Sequence, residues 1–275
     1  MSLRRTLILG SIGVATSLVG LSGCSSSSAD STTGKRVVLH TNLTANSIVK
    51  STFTTGFKWD VTLTKASLAV SAFYYFDGPP PTALFKVPRR KRTFGERVSN
   101  FLVGTAFAHP GHYQAGTALG ESILPKPIAF DLFTEGPVAL NDGDGVTGVY
   151  RSARFVLPTT APADAALSRH LAVAEGTALK HDDATAEPIY FRLIADYDDI
   201  AMNVNDGAVD GCVLDETTVT SDGTITVEIE PTVWFNLVDF SKIDAGSADS
   251  PTEARSPGFS QGLTELSAYH FSYSK

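Results

Sequence analysis

The chain has 275 residues, 22 lysines and arginines against 29 aspartates and glutamates, and a formal net charge of −7. A hydrophobic content of 43% is ample for a packed core and excludes an intrinsically disordered chain. The charged share of 19% lies below the ordinary value of about 25%, which argues against a coiled coil, and the acidic balance argues against nucleic acid as a partner.

Residues 1–23 read as an export leader. Arg4 and Arg5 form a basic start, and the uncharged apolar run Leu7–Leu21 follows. That run is shorter than the about 20 residues a membrane-spanning helix needs, but it suits a secretory signal. It ends Leu21-Ser22-Gly23-Cys24, which resembles the lipobox of bacterial lipoproteins. The resemblance implies cleavage before Cys24 and a thioether link from Cys24 to diacylglycerol, so the partner at this end is a membrane. Ser25 after the cysteine then favours the outer membrane of a Gram-negative envelope, facing the periplasm or the exterior. Cleavage removes two arginines and no acid, which takes the charge from −7 to −9. It also leaves Cys212 without an internal disulfide partner, so a small buried hydrophobe is expected there.

Residues 24–35, rich in Ser and Thr, are expected to be a flexible tether. From residue 36 onward the signal is strand. Val37, Leu39, Thr41 and Leu43 alternate, and Trp59, Val61 and Leu63 repeat the pattern. Leu68 to Phe76, Ile189 to Ala195, Ile225 to Ile229 and Ala268 to Tyr273 follow suit. Trp234, in Thr232-Val233-Trp234-Phe235, is also read as strand. Turn residues separate the runs, at Asp77-Gly78-Pro79, Asn205-Asp206-Gly207 and Ser221-Asp222-Gly223. The expected fold is all-β, an antiparallel β-sandwich spanning residues 36–275 as a single domain.

One insertion, residues 78–125, interrupts it. Its Lys86-Val87-Pro88-Arg89-Arg90-Lys91-Arg92 stretch is strongly basic, and Phe94, Val98, Phe101 and Leu102 mark one face of a short amphipathic helix. Two roles are open for this segment: capping a sandwich edge, or docking on anionic headgroups. His109-Pro110-Gly111-His112 then follows. Pro and Gly at the two central positions suit a type II turn, which would bring the imidazoles within reach of one ion. Copper or zinc is the metal such ligands favour, and Glu121 could add an oxygen. His40 and His181 are candidates for a third ligand. This segment and the expected architecture are similar to periplasmic copper-handling β-sandwich proteins of the CopC-like and MbnP-like kinds.

Three other features are weaker. Gly258-Phe259-Ser260-Gln261-Gly262 matches the nucleophile elbow of α/β-hydrolases, but a Ser-Pro turn precedes it and the chain lacks the parallel sheet the elbow needs. Asn141–Gly145 and Asp196–Asp199 are acid-rich, and they fit hairpin chemistry better than a calcium loop. No catalytic residues are assigned. The reading is an exported, lipid-anchored envelope protein that binds a ligand, a copper or zinc ion through the His-Pro-Gly-His loop. The alternative is a structural or interaction lipoprotein that contacts polysaccharide or protein without metal.

Overall fold

Alternation along the chain becomes a wall with one wet and one dry side. In the computed structural model, which describes residues 34–80, 115–183, 185–244 and 246–275, strand β1 (Arg36–Ala45) buries Val37, Leu39, Thr41 and Leu43 and turns Arg36, Val38 and His40 outward. Twelve further strands follow: β2 (Phe53–Thr54), β3 (Trp59–Phe76), β4 (Ala118–Asp131), β5 (Val138–Ala139), β6 (Gly143–Val146), β7 (Gly148–Val156), β8 (Ala172–Lys180), β9 (Ile189–Ala195), β10 (Ala208–Val219), β11 (Gly223–Ile229), β12 (Thr252–Arg255) and β13 (Tyr269–Ser274). Three short helices, α1 (Tyr197–Ala201), α2 (Pro231–Phe235) and α3 (Pro257–Leu263), lie among the later strands.

All thirteen strands belong to one sheet, ordered β12-β9-β8-β3-β4-β6-β1-β11-β13-β10-β7, with β2 and β5 alongside β3 and β1. A further pairing of β7 with β3 closes the second part of that path into a circuit of eight strands. The sheet is mixed: β1 runs parallel to β11, β10 to β13 and β12 to β9. The expected all-antiparallel pattern is therefore corrected. Alternation reports which face of a strand is buried, and it carries no information on the direction of the neighbour.

β3 organises both halves. Its first part, Trp59–Leu68, pairs with β8, while Ala72–Phe76 pairs with β7 on that edge and Ser67–Phe76 with β4 on the other. Ala66, Ser67, Leu68, Ala69 and Val70 are all buried, because this stretch is covered on both faces. Within the circuit, Phe73 and Tyr75 meet Phe271 of β13 at ring separations of 6.1 and 6.3 Å, and Phe155 stacks on Tyr269 at 4.0 Å. Thr41 of β1 shares a hydrogen bond with the Tyr75 hydroxyl across that interior, at 3.3 Å.

A second aromatic cluster lies where β3, β8 and β9 meet the 231–263 segment. Phe191 packs on Phe240 at 4.9 Å, Trp59 on Phe240 at 5.8 Å, and Trp234 on Phe259 at 6.2 Å. The expected strand around Trp234 is in fact α2. Pro231 opens the helix, and the Glu230 carboxylate accepts from the Thr232 backbone N–H at 3.2 Å. The helical turn places Trp234 and Phe235 side by side in the core, where both are fully buried; a strand would have sent one of them to solvent.

The insertion leaves and rejoins the sheet through a tied neck. Gly78 N–H donates to Ala115 O at 2.9 Å, Asp77 N–H to Thr117 O at 3.2 Å, and Thr117 N–H to the Asp77 carboxylate at 2.6 Å. Residues 118–125 belong to β4, and Ala118 and residues 120–123 pair with β3, so that part of the expected insertion is sheet. The register skips between the Ala72–Ile123 and Val70–Ile128 pairs, where Pro125 and Pro127 have no N–H to give the ladder. The leader, Cys24, the basic stretch, the amphipathic helix, His109 and His112 lie outside the described residues. Thr33–Lys275 is one compact unit. Among the described residues no helix is long and apolar enough to cross a membrane.

Candidate functional site

Glu121 sits six residues past Ala115, where the insertion's neck opens into β4. There β4 meets β6 through two register pairs, Gly120 with Gly145 and Glu121 with Asp144. The glycine pair faces inward and is required by space. A Cβ on Gly145 would lie 2.6 Å from a Leu39 methyl and 2.8 Å from the Tyr150 hydroxyl. That hydroxyl donates to Val146 O at 2.8 Å and lies 2.9 Å from Leu119 O, which holds the two strands' ends together. Burial raises the Tyr150 phenol to about 12, so it stays a protonated donor.

The next pair along must point the other way. Glu121 and Asp144 are therefore neighbours on the outer face, and both are exposed. They line an open groove of about 330 Å³ with Arg36 and Tyr74. Tyr74 is the register partner of Glu121 on its other side. Among the described residues neither carboxylate has a side-chain hydrogen bond or ion pair. Like charges directly opposed across a strand pair repel, so a cation in this groove would be stabilising.

The other predicted ligands fall elsewhere. His40 lies on the same outer face, two residues beyond the Asp144 partner Val38, and its Nδ1 is 2.6 Å from the Asp142 carboxylate. Two strand spacings and one two-residue repeat put it about 12 Å from Glu121, too far for a shared ion. His181 follows β8, with Nδ1 2.9 Å from the Asp60 carboxylate. Asp60 and Tyr74 mark opposite ends of β3, about 45 Å apart along the strand, so His181 is remote from Glu121. No group of three or more His, Cys, Asp or Glu side chains among the described residues could hold a metal.

Sequence reasoning missed a recurrent arrangement. His40, His170, His181 and His270 each pair with an aspartate: Asp142, Asp196, Asp60 and Asp215. The His170 pair is the most enclosed. Its Nδ1 lies 2.7 Å from Asp196, whose second oxygen bonds Arg255, and Arg255 also bonds Asp199. Burial works to raise the Asp196 pKa, but the hydrogen bonds from Arg255 and His170 outweigh it and hold the carboxyl below its ordinary range. The acid-rich Asp196–Asp199 segment is thus a helix start: Asp196 is the N-cap of α1, and the Asp199 carboxylate accepts its N–H at 2.8 Å.

The remaining sequence candidates are structural. Ser260 is buried inside α3, and its hydroxyl donates to Pro257 O at 3.1 Å, so no nucleophile elbow is present. Cys212 is fully buried in β10 beside a bulge at Gly211, whose φ is +79°. Burial pushes its thiol up to about 12, which makes it inert. No protein-family model, curated protein or solved structure matches this chain.

Proposed function

We propose that this chain is an exported, lipid-anchored protein of the cell envelope that binds a copper or zinc ion beside the neck of its insertion. Cys24 is the anchor, after the lipobox pattern, and the outer membrane of a Gram-negative envelope is the expected location. His109 and His112 supply nitrogen ligands, and Glu121 an oxygen. The observation that carries this reading is the outward Glu121–Asp144 pair, two carboxylates without a partner among the described residues in one groove, where the strand following the histidine segment joins β6. Asp144 enters as a ligand candidate on that ground, in place of His40 and His181. The same reading takes the closed circuit as two face-to-face layers, a sandwich, which the Phe73–Phe271 and Tyr75–Phe271 contacts support.

The test is a titration of the chain lacking residues 1–24 with Cu(II) and Zn(II). Stoichiometric binding is expected, weakened at least tenfold in His109→Ala/His112→Ala and in Glu121→Gln/Asp144→Asn. Absence of binding, or binding as tight in both double variants as in the wild type, would refute the metal. Separately, Cys24→Ser should free the full chain from membranes, and continued anchoring would refute the lipid site.

A second reading, contact with neutral polysaccharide, has one observation in its favour. The outer face of β1, β11 and β13 carries register rows of polar side chains without a carboxylate, His40–Thr224–Ser274 and Asn42–Thr226–Ser272. Retention on a neutral glucan column that is lost in Thr226→Lys would support it.

A further inference from the structure

A second pocket, remote in sequence from the carboxylate groove, collects unused hydrogen-bonding groups around His170. It has a volume of about 500 Å³ and is lined by Thr159, Thr160, Arg169, His170, Asp196 and Asp198, among others. A space of that size is about 10 Å across and holds a ligand of a dozen heavy atoms.

The walls are positioned by the backbone. Ser168 and Arg169 both adopt left-handed φ, +50° and +76°, a conformation that disfavours large side chains and must be held by its surroundings. The ties are on either side: His170 N–H donates to Leu167 O at 2.8 Å, Leu171 N–H to Ala195 O at 2.8 Å, and Arg192 to the Ser168 hydroxyl at 3.0 Å. Arg169 is thereby carried to the pocket wall, where among the described residues its guanidinium has no partner.

The polarity of each group follows. An ionised carboxylate only accepts, so the proton between His170 and Asp196 lies on Nδ1. The Asp196 carboxylate is already bonded within the protein, to His170 through one oxygen and to Arg255 through the other. Asp198, exposed and without a partner among the described residues, is a free anion in the same wall. Among the described residues the pocket therefore presents one free cation, one free anion, the outer nitrogen of His170 and two threonine hydroxyls.

We propose that this pocket binds a small zwitterion of the α-amino-acid class. Its carboxylate pairs with Arg169, and its ammonium group donates to Asp198. A simple anion would meet Asp198 as a like charge, and a simple cation would meet Arg169. Only a ligand that carries both charges is matched at both groups.

The experiment uses the full chain in detergent and screens the twenty common amino acids by thermal shift, followed by calorimetry on the best. At least one should bind saturably below 10 mM. Arg169→Gln and Asp198→Asn should each weaken that binding about tenfold or more, since each removes a charge-assisted contact. Both positions are exposed and, among the described residues, unpaired, so both variants should fold and unfold close to the wild-type temperature. Acetate and ethylamine, each carrying one of the two charges, should bind the wild type at least tenfold more weakly than the amino acid. No saturable binding by any amino acid would overturn the proposal. So would binding unchanged in both variants, or acetate or ethylamine binding as well as the amino acid.

Discussion

If the circuit of eight strands is closed, Phe271 on β13 and Phe73 on β3 face each other across its interior, and their energies must be coupled. Both rings are fully buried, with centroids 6.1 Å apart at 72°, an edge-on arrangement. Phe→Leu keeps most of the volume at each site and should cost about 1–2 kcal/mol by lost contact and imperfect filling. An edge-to-face aromatic pair contributes about 0.5–1.5 kcal/mol beyond burial, so the double variant should fall short of additivity by about 1 kcal/mol. Phe191 supplies the control. It packs on Phe235 and Phe240 in the other aromatic cluster, and Phe191→Leu combined with Phe271→Leu should add within about 0.5 kcal/mol. Urea unfolding of the three single and two double variants, at constant m, gives all of these values. Coupling below about 0.3 kcal/mol between Phe73 and Phe271 would mean that the two strands do not share an interior, and the closure would be wrong.

Three further outcomes follow from the described contacts. Gly145→Ala forces a methyl onto Leu39 and the Tyr150 hydroxyl, so it should destabilise by about 1–3 kcal/mol, and Gly145→Ala in a Tyr150→Phe background should lose less. The Asp196 carboxyl is held below its unfolded value of about 3.9, so the stability it contributes is present above that pH and is lost as pH falls through the lower folded value. Asp196→Asn should therefore be less stable than wild type at pH 7, and the gap measured by urea unfolding should shrink below about pH 4. In the chain lacking residues 1–24, Cys212 should be unreactive to a thiol reagent when native and titrate as one thiol in denaturant; rapid native labelling would contradict its burial.

The strands were legible because burial on one face writes itself into every second residue. Leu39, Leu43, Ile225 and Val227 follow that rule, and all are fully buried. What period two does not record is the neighbour. β1 lies beside β11, with about two thirds of the chain's length between them, and the two are parallel. Nor does it distinguish two adjacent buried aromatics on a helical turn from a stretch of strand, which is why Trp234 and Phe235 misled until Glu230 and Pro231 were seen as a helix start. Glu121 was singled out for its place after the histidines. Asp144, its companion, lies 23 residues further on, in a glycine-rich segment that reads locally as a turn. The His170 pocket left no local trace at all. His170 and Asp196 are 26 residues apart, and only the pairing of β8 with β9 brings their neighbourhoods together.

Closure of the circuit bears on how many copies can crowd together. A chain fastened to a membrane, as proposed, is confined to two dimensions, where neighbours meet often and in a fixed orientation. Every strand of the circuit already has partners on both sides, so it offers little backbone for a neighbour to zip onto. The open path ends at β12, which has four residues, two of them the charged Glu253 and Arg255, held in ion pairs to Arg192 and to the aspartates of α1's first turn and cap. The strand most available for recruitment is thus short and occupied by charge, a combination that lets such a surface fill densely without its proteins fusing into a common sheet.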